Sequence, residues 1–406
     1  MSEWKTVKMN DIAISIQPGP FGSQLHSSDY SSEGTPIIMP KDMIDGRISH
    51  NDLAFVSDEH VKRLNRHQAH PGNLIVARKG DVRKCVYITD YEDGWMTGSD
   101  CLKIALNEEL CYPKFIYYQL RSPFIGRWLE TISIGATMPS LNSGLLGSIE
   151  LLLPPKDVQE HISSVLSAYD SLIETNQHQI KLLEEAAQRL YKEWFVDLRY
   201  PGHENAPVVD GVPEGWFICT LNDVIEFNPK VPLNKERIKQ SIPMSALNTQ
   251  SMVLDSREFS ETTSTSGSKF QNGDTLLARI TPCLENGKTG FVSGLESDEG
   301  AVGSTEFIVM RSKKLNPYMV YLLARTDDFR KTAINSMTGS DGRQRAQPDK
   351  IRTYPFLLPP QSIIDSFGDI VMPLFGNIQI RNQQNIQLSE ARDRLLPKLM
   401  SGEIAV

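Results

Sequence analysis

The sequence predicts an α+β protein built as two tandem modules, each followed by a long helix. Three observations predict it: landmarks that recur 201 to 212 residues apart, β-branched runs punctuated by turn residues, and two apolar stripes at heptad-like spacing. Trp4 precedes Asp11 by the same seven residues that separate Trp216 from Asp223. An Ala-Arg step ends at Arg78 and again at Arg279, Gly98-Ser99 answers Gly303-Ser304, Pro113 answers Pro317, and Leu-Leu-Pro-Pro ends at Pro155 and Pro360. A period near 200 marks a duplicated domain, because solenoid repeats run ~20–50 residues.

The first module, residues 1–153, opens with a strand or turn around Trp4. The runs GTPIIMP, NLIVARKG and KCVYIT then read as strands bounded by Gly, Asn and Asp. A helix follows from Pro113, since proline suits a first helical position where its missing N–H would be unpaired anyway. The second module, residues 214–353, repeats the plan with DTLLARI, KTGFV and TEFIVM, and a helix from Pro317. Between the halves, residues 200–213 lie in a Pro- and Gly-rich stretch without periodicity and read as a linker.

In residues 154–199 the period changes. Val158, Ile162, Val165 and Tyr169, then Ile173, Asn176, Ile180, Leu183, Ala187, Leu190 and Trp194, form a stripe that predicts one helix packing along another. Residues 354–406 carry a second stripe through Ile363, Phe367, Ile370, Phe375, Ile378, Asn382, Ile386 and Leu396. Asn176 and Asn382 are expected to coincide on the seam, where a polar residue fixes register. Pro373 predicts a kink, and Ser389 and Asp393 weaken this copy. The competing reading is two unrelated amphipathic helices, each packed on its own module.

No apolar run reaches the ~18 residues that a membrane span requires, so no membrane partner is expected, and the first residues lack a signal-peptide pattern. Five cysteines without a C-x-x-C pair read as reduced thiols of a cytoplasmic protein. The net charge of −8 disfavours nucleic acid at first sight. The two modules are nonetheless near neutral, with 15 basic against 18 acidic residues in 1–153 and 18 against 17 in 214–353. A DNA-binding chain of this charge needs partners to supply positive surface.

Several catalytic motifs fail. Gly287-Lys288-Thr289 imitates a phosphate-binding loop, but Pro282 stands where that loop needs glycine. Asn316-Pro317-Tyr318 lacks the second proline of the amino-methyltransferase motif, and no glycine-rich cofactor loop follows a strand. His60, His67 and His70 lack the spacing of a metal site and read as surface histidines. Pro348-Asp349 is not followed by the acid-x-Lys pair of a nuclease centre. No catalytic residue, metal or cofactor is therefore expected.

Basic residues, by contrast, gather at matching places. The first module has Arg78, Lys79, Arg83 and Lys84 around one turn, and the second has Arg279 and Lys288. Later glycine-punctuated loops run over 135–140 and 339–345, the latter with Arg343, Gln344 and Arg345. Such loops suit approach to a phosphate backbone, and Arg and Gln can contact guanine and adenine edges bidentately. Read singly, each is an ordinary solvated turn; their coincidence in both copies argues for binding.

The segments IETNQHQIKLLEEAAQRLYKEWFVD and LSEARDRLLPKLMSGEI, with PEGW and the repeated LLPP, make the chain resemble the specificity subunit of Type I restriction-modification systems. The resemblance covers the whole chain. It implies two target-recognition domains that each read one half of a split site in double-stranded DNA. It also implies two helices packed antiparallel as a spacer that sets the half-site distance. The helices would dock two DNA adenine methyltransferase subunits, which motor–nuclease subunits then join. Against this stand a free-standing methyltransferase or nuclease with its own recognition domains, and a coiled-coil assembly protein without a DNA role.

Overall fold

The computed structural model describes residues 4–133, 140–295, 300–340 and 342–404. The chain divides into two units: Met1–Leu172 with Gln387–Val406, and Ile173–Ile386. Both boundaries fall inside long helices, so each unit holds one module whole, 1–153 or 214–353, together with part of each helix.

In the first unit a four-stranded antiparallel sheet places Cys101–Leu106 between Ala13–Pro18 and Leu74–Ala77, with Cys85–Tyr87 beyond the latter. Alternation along a strand explains why the Leu-Ile-Val-Ala run is buried throughout. Leu74 and Val76 join the helix-side core with Phe115 and Ile116, whereas Ile75 and Ala77 pack on the other face with Ile38 and Met43. A smaller sheet of Tyr30–Ser31, Thr35–Ile38, Ala54–Val56 and Met96–Thr97 covers that second face. Lys5–Lys8 pairs with Glu150–Leu153, and the following short helix is capped by the Asp11 carboxylate accepting from Lys8 N–H at 2.8 Å. Trp4 packs edge-on against Phe115.

The second unit repeats this plan. Phe307–Ser312 lies between Ile225–Phe227 and Thr275–Ala278, with Thr289–Phe291 outermost, and Phe217–Thr220 pairs with Pro355–Leu358. Asp223 caps its helix from Thr220 N–H, also at 2.8 Å. The parallel strand pair of each smaller sheet is repeated too: Thr35–Ile38 with Met96–Thr97, and Lys239–Ile242 with Ala301–Gly303. The expected proline starts are found, at Pro113–Leu120 and Pro317–Ala324. The stretch read as a linker contains a small hairpin, Val208–Val209 with Val212–Pro213.

The long helices are Lys156–Tyr191, extended by a π-helical turn to Val196, and Gln361–Met400, which continues through Pro373. Within the second unit they run antiparallel: Trp194 meets Phe367 at 5.5 Å, and Asn176 meets Asn385 at 3.0 Å. Ile173, Asn176, Ile180 and Ala187 are buried as the stripe predicts, with Leu183 and Leu190 half-buried. On the second helix the phase differs from the expectation. Ile370 is exposed, Ile364 and Val371 are buried, and Asn385 rather than the half-buried Asn382 faces Asn176. Ile363-Ile364 and Ile370-Val371 are adjacent apolar pairs, so the pattern alone admits either phase. Ile364, Val371, Ile378, Asn385, Arg392 and Leu399 recur every seven residues.

In the first unit Ile162 and Leu166 share a core with Leu396, Leu399 and Met400. There Arg392 donates to Asp170 at 2.6 Å, and Tyr118 hydroxyl donates to the other Asp170 oxygen at 2.6 Å. Past Pro373 the seam stays apolar at Phe375 and Ile378, as expected, and then holds two polar positions, Asn385 satisfied by Asn176 in one unit and Arg392 by Asp170 in the other. Ile386 is half-buried.

Candidate nucleic-acid interface

In each module a basic turn at the end of one central strand is joined by backbone bonds to a segment far away in sequence. After Leu74–Ala77 the chain reaches Arg78, whose carbonyl accepts from Leu141 N–H at 2.8 Å, and Lys79 pairs with Ser140. After Thr275–Ala278 it reaches Arg279, whose carbonyl accepts from Ala346 N–H at 2.8 Å, and Ile280 pairs with Arg345. Residues 135–139 of the first module's 135–140 loop, and Asp341 of the second loop, lie outside the described residues.

An acidic residue organises each cluster. Arg78 N–H donates to the Asp100 carbonyl and Arg279 N–H to the Glu306 carbonyl, so the two acids hold equivalent places. The Asp100 carboxylate pairs with Lys79 at 3.0 Å. The Glu306 carboxylate accepts from Arg345 Nε at 2.9 Å and Nη2 at 2.7 Å, with Arg279 Nε at 4.0 Å. The Arg345 hydrogen bond holds the Glu306 carboxyl below the ordinary glutamate range. Neither acid was anticipated, although each follows the repeated Gly-Ser step.

The candidate cations divide by what they touch. Lys84 donates to the Pro40 carbonyl at 2.8 Å and Lys288 to the Met244 carbonyl at 3.1 Å. These two side chains therefore clamp the smaller sheet's 3₁₀ turn to the larger sheet in both modules. Arg83 is shared between Asp81 and Glu130, at 2.9 and 3.3 Å. The Asp81 hydrogen bond raises the arginine and is the largest cause lowering the Asp81 carboxyl. Arg345 is engaged by Glu306.

Arg343 stands exposed near the turn of the Thr338–Arg345 hairpin, which closes through paired backbone bonds at 3.0 and 2.9 Å and turns at Gly342 with φ 77°. Half-buried Gln344 beside it accepts from Thr281 through its main-chain carbonyl, and among the described residues its side-chain amide has no partner. Half-buried Arg78 lies over the Phe21 ring at 5.5 Å. Among the described residues neither Arg78 nor Arg343 has an acidic partner. Each module thus combines fixed cations with one arginine free to donate outward, an arrangement suited to phosphate and base-edge contacts.

The histidines are held separately. His60 lies near Asp29 at 3.7 Å, His70 pairs with Asp93 at 2.8 Å, and His67 is buried, contrary to the surface position expected, with its pKa lowered mainly by burial. Among the described residues no group of three or more His, Cys, Asp or Glu could hold a metal ion, and no helix is long and apolar enough to cross a membrane.

Residues 1–185 match the profile described as the Type I restriction modification DNA specificity domain. Over its whole length the chain is 25% identical to the specificity subunit of the type I restriction enzyme MjaIX of Methanocaldococcus jannaschii, covering 94% of that protein. The specificity subunit of the type I restriction enzyme HindI of Haemophilus influenzae is 21% identical, with both chains covered completely. The crystal structure of a Type-I restriction-modification S subunit from M. genitalium superposes with a TM-score of 0.57 at 13% identity, covering 98% of this chain and 96% of that one, and shows the shared fold.

Proposed function

We propose that this chain, which belongs with the specificity subunits of Type I restriction-modification systems, reads a bipartite DNA site with one module per half. The observation that carries the reading is the repetition of the loop cluster: a basic residue at one strand end, tied by the same 2.8 Å backbone bond to a distant loop, occurs in both modules. Arg78 in the first module and Arg343 and Gln344 in the second make base contacts. Lys79, Arg83 and Arg279 approach phosphates, while Lys84, Lys288 and Arg345 hold the loops in shape.

The long helices set the gap between half-sites and dock two adenine methyltransferase subunits on exposed apolar positions such as Leu172, Leu182 and Ile380. Motor–nuclease subunits join that complex in the cytoplasm, and catalysis belongs to the partners. The same partners supply the positive surface that a chain of net charge −8 lacks.

The test is expression of the full chain with its methyltransferase subunit in a host without adenine methylation, followed by genome-wide mapping of methylated adenines. An interrupted two-part motif that appears only when both proteins are present is expected. Methylation that needs no contribution from this chain, or a continuous motif, would refute the reading.

A further inference from the structure

Phe21 is 54% exposed and sits on a turn built to hold it still. Gly19 N–H donates to the Cys101 carbonyl at 3.0 Å, and a Cβ on Gly19 would lie 1.9 Å from the Gly98 carbonyl oxygen. The backbone there is pressed against the Gly-Ser step that leads to Asp100, a closeness only glycine allows. On the far side Arg63 Nη2 donates to the Gln24 carbonyl at 2.9 Å. The anchored turn carries the ring beside Arg78, whose guanidinium carbon lies 5.5 Å from its centroid. Single exposed apolar side chains are common and carry no meaning alone. Phe21 differs because its turn is anchored on both sides and its ring lies against a guanidinium that has no acidic partner among the described residues. The second module has no counterpart: from Asn228 to Ile238 its loop holds no aromatic residue, and Phe227 is buried.

We propose that Phe21 is a specificity-determining residue of the first module, contacting the 5-methyl group of a thymine beside a base edge read by Arg78. This rests on the reading of the chain as a DNA-recognition subunit. In the major groove the thymine methyl is the apolar feature of the base edges, and phenylalanine is among the side chains that meet it. A guanidinium lying over a ring keeps its edge free for bidentate donation. The two modules therefore read different chemistry, the first partly by an apolar contact and the second by polar contacts from Arg343 and Gln344.

The experiment replaces each thymine of the mapped site with deoxyuridine, which removes only the methyl group, and measures binding by the chain assembled with its methyltransferase subunits. The first module's half-site is the one whose preferences Arg343→Ala leaves untouched. Wild type should lose about fourfold in affinity at one thymine of that half, the value of one buried methyl-sized group. Phe21→Ala should lose a similar factor on the thymine site and become indifferent to deoxyuridine there. Phe21→Leu should keep most of the discrimination, and it decides the matter should the alanine variant melt early. A Phe21→Ala complex as sensitive to deoxyuridine as wild type overturns the proposal, as does an equal loss on all sequences. A wild-type complex with no sequence preference instead overturns the DNA-recognition reading beneath it.

Discussion

Glu306→Ala should make the second module bind DNA more tightly and less selectively. The Glu306 carboxylate is the acceptor that orients Arg345 through contacts of 2.7 to 3.0 Å, and it lies 4.0 Å from Arg279. Its side chain is 24% exposed, so its removal breaks a partly solvated ion pair and should lower stability by no more than about 1 kcal/mol. The Arg345 guanidinium would then be free to join Arg279 in neutralising phosphates. Each phosphate contact adds about −0.9 to the slope of log K against log salt. From 50 to 200 mM salt the variant should therefore lose roughly 3.5-fold more affinity for non-specific duplex through the released Arg345. Fluorescence anisotropy of a labelled non-specific duplex across that salt range measures the slope, and methylation of a randomised site measures selectivity. Because Arg345 holds the carboxyl below its usual range, the ion pair persists at neutral pH and is lost only as pH falls through that lowered value. The wild-type slope should accordingly stay constant across neutral pH. An unchanged slope in the variant would refute the assignment of this cluster to a DNA-facing surface.

Arg392→Leu should destabilise the first unit by ~3–5 kcal/mol, because it strands the Asp170 carboxylate at a site where both side chains are almost enclosed; adding Asp170→Leu should recover part of the loss in urea melts. Ile378→Ala, at a fully buried seam position, should cost ~2–5 kcal/mol, whereas Leu183→Ala, half-buried, should cost less. If the helices set the half-site gap, one extra heptad placed after both Leu172 and Ile386 lengthens each by ~10.5 Å. That is about three base pairs at ~3.4 Å each, so the preferred gap in a DNA library should grow by about three without change to either half-site; an unmoved optimum would make the helices tethers only.

Much of this fold was legible because duplication writes each element twice. Trp4 and Trp216, or Asp11 and Asp223, gain weight by recurring, and the structure explains the spacing: each aspartate caps the short helix after the first strand. The phase of the second helix was not legible at Ile363-Ile364 and Ile370-Val371, where adjacent apolar residues admit either choice, nor where the seam is made by Asn385 and Arg392, which no apolar pattern can find. At the loops, residue type located the cations but could not say which were committed. Lys84 and Lys288 look like phosphate ligands in sequence and are carbonyl clamps in space. Asp100 and Glu306 escaped notice because a search for DNA contacts looks for positive charge, while orienting an arginine takes a carboxylate.

The division of the chain inverts the usual order of synthesis and folding. Ile173–Ile386 is continuous, so its core can close as soon as that stretch has left the ribosome. The unit containing the earlier-made Met1–Leu172 must wait for Gln387–Val406, since Leu396, Leu399 and Met400 complete the core that Ile162 and Leu166 begin. Domains ordinarily fold as units from the N-terminus onward during translation. Here a nonsense mutation near residue 390 would leave the later-made unit intact and the earlier-made one unfinished. Exchange of the first module between related genes carries the same obligation: an incoming N-terminal segment must fit a C-terminal helix encoded more than 200 codons downstream.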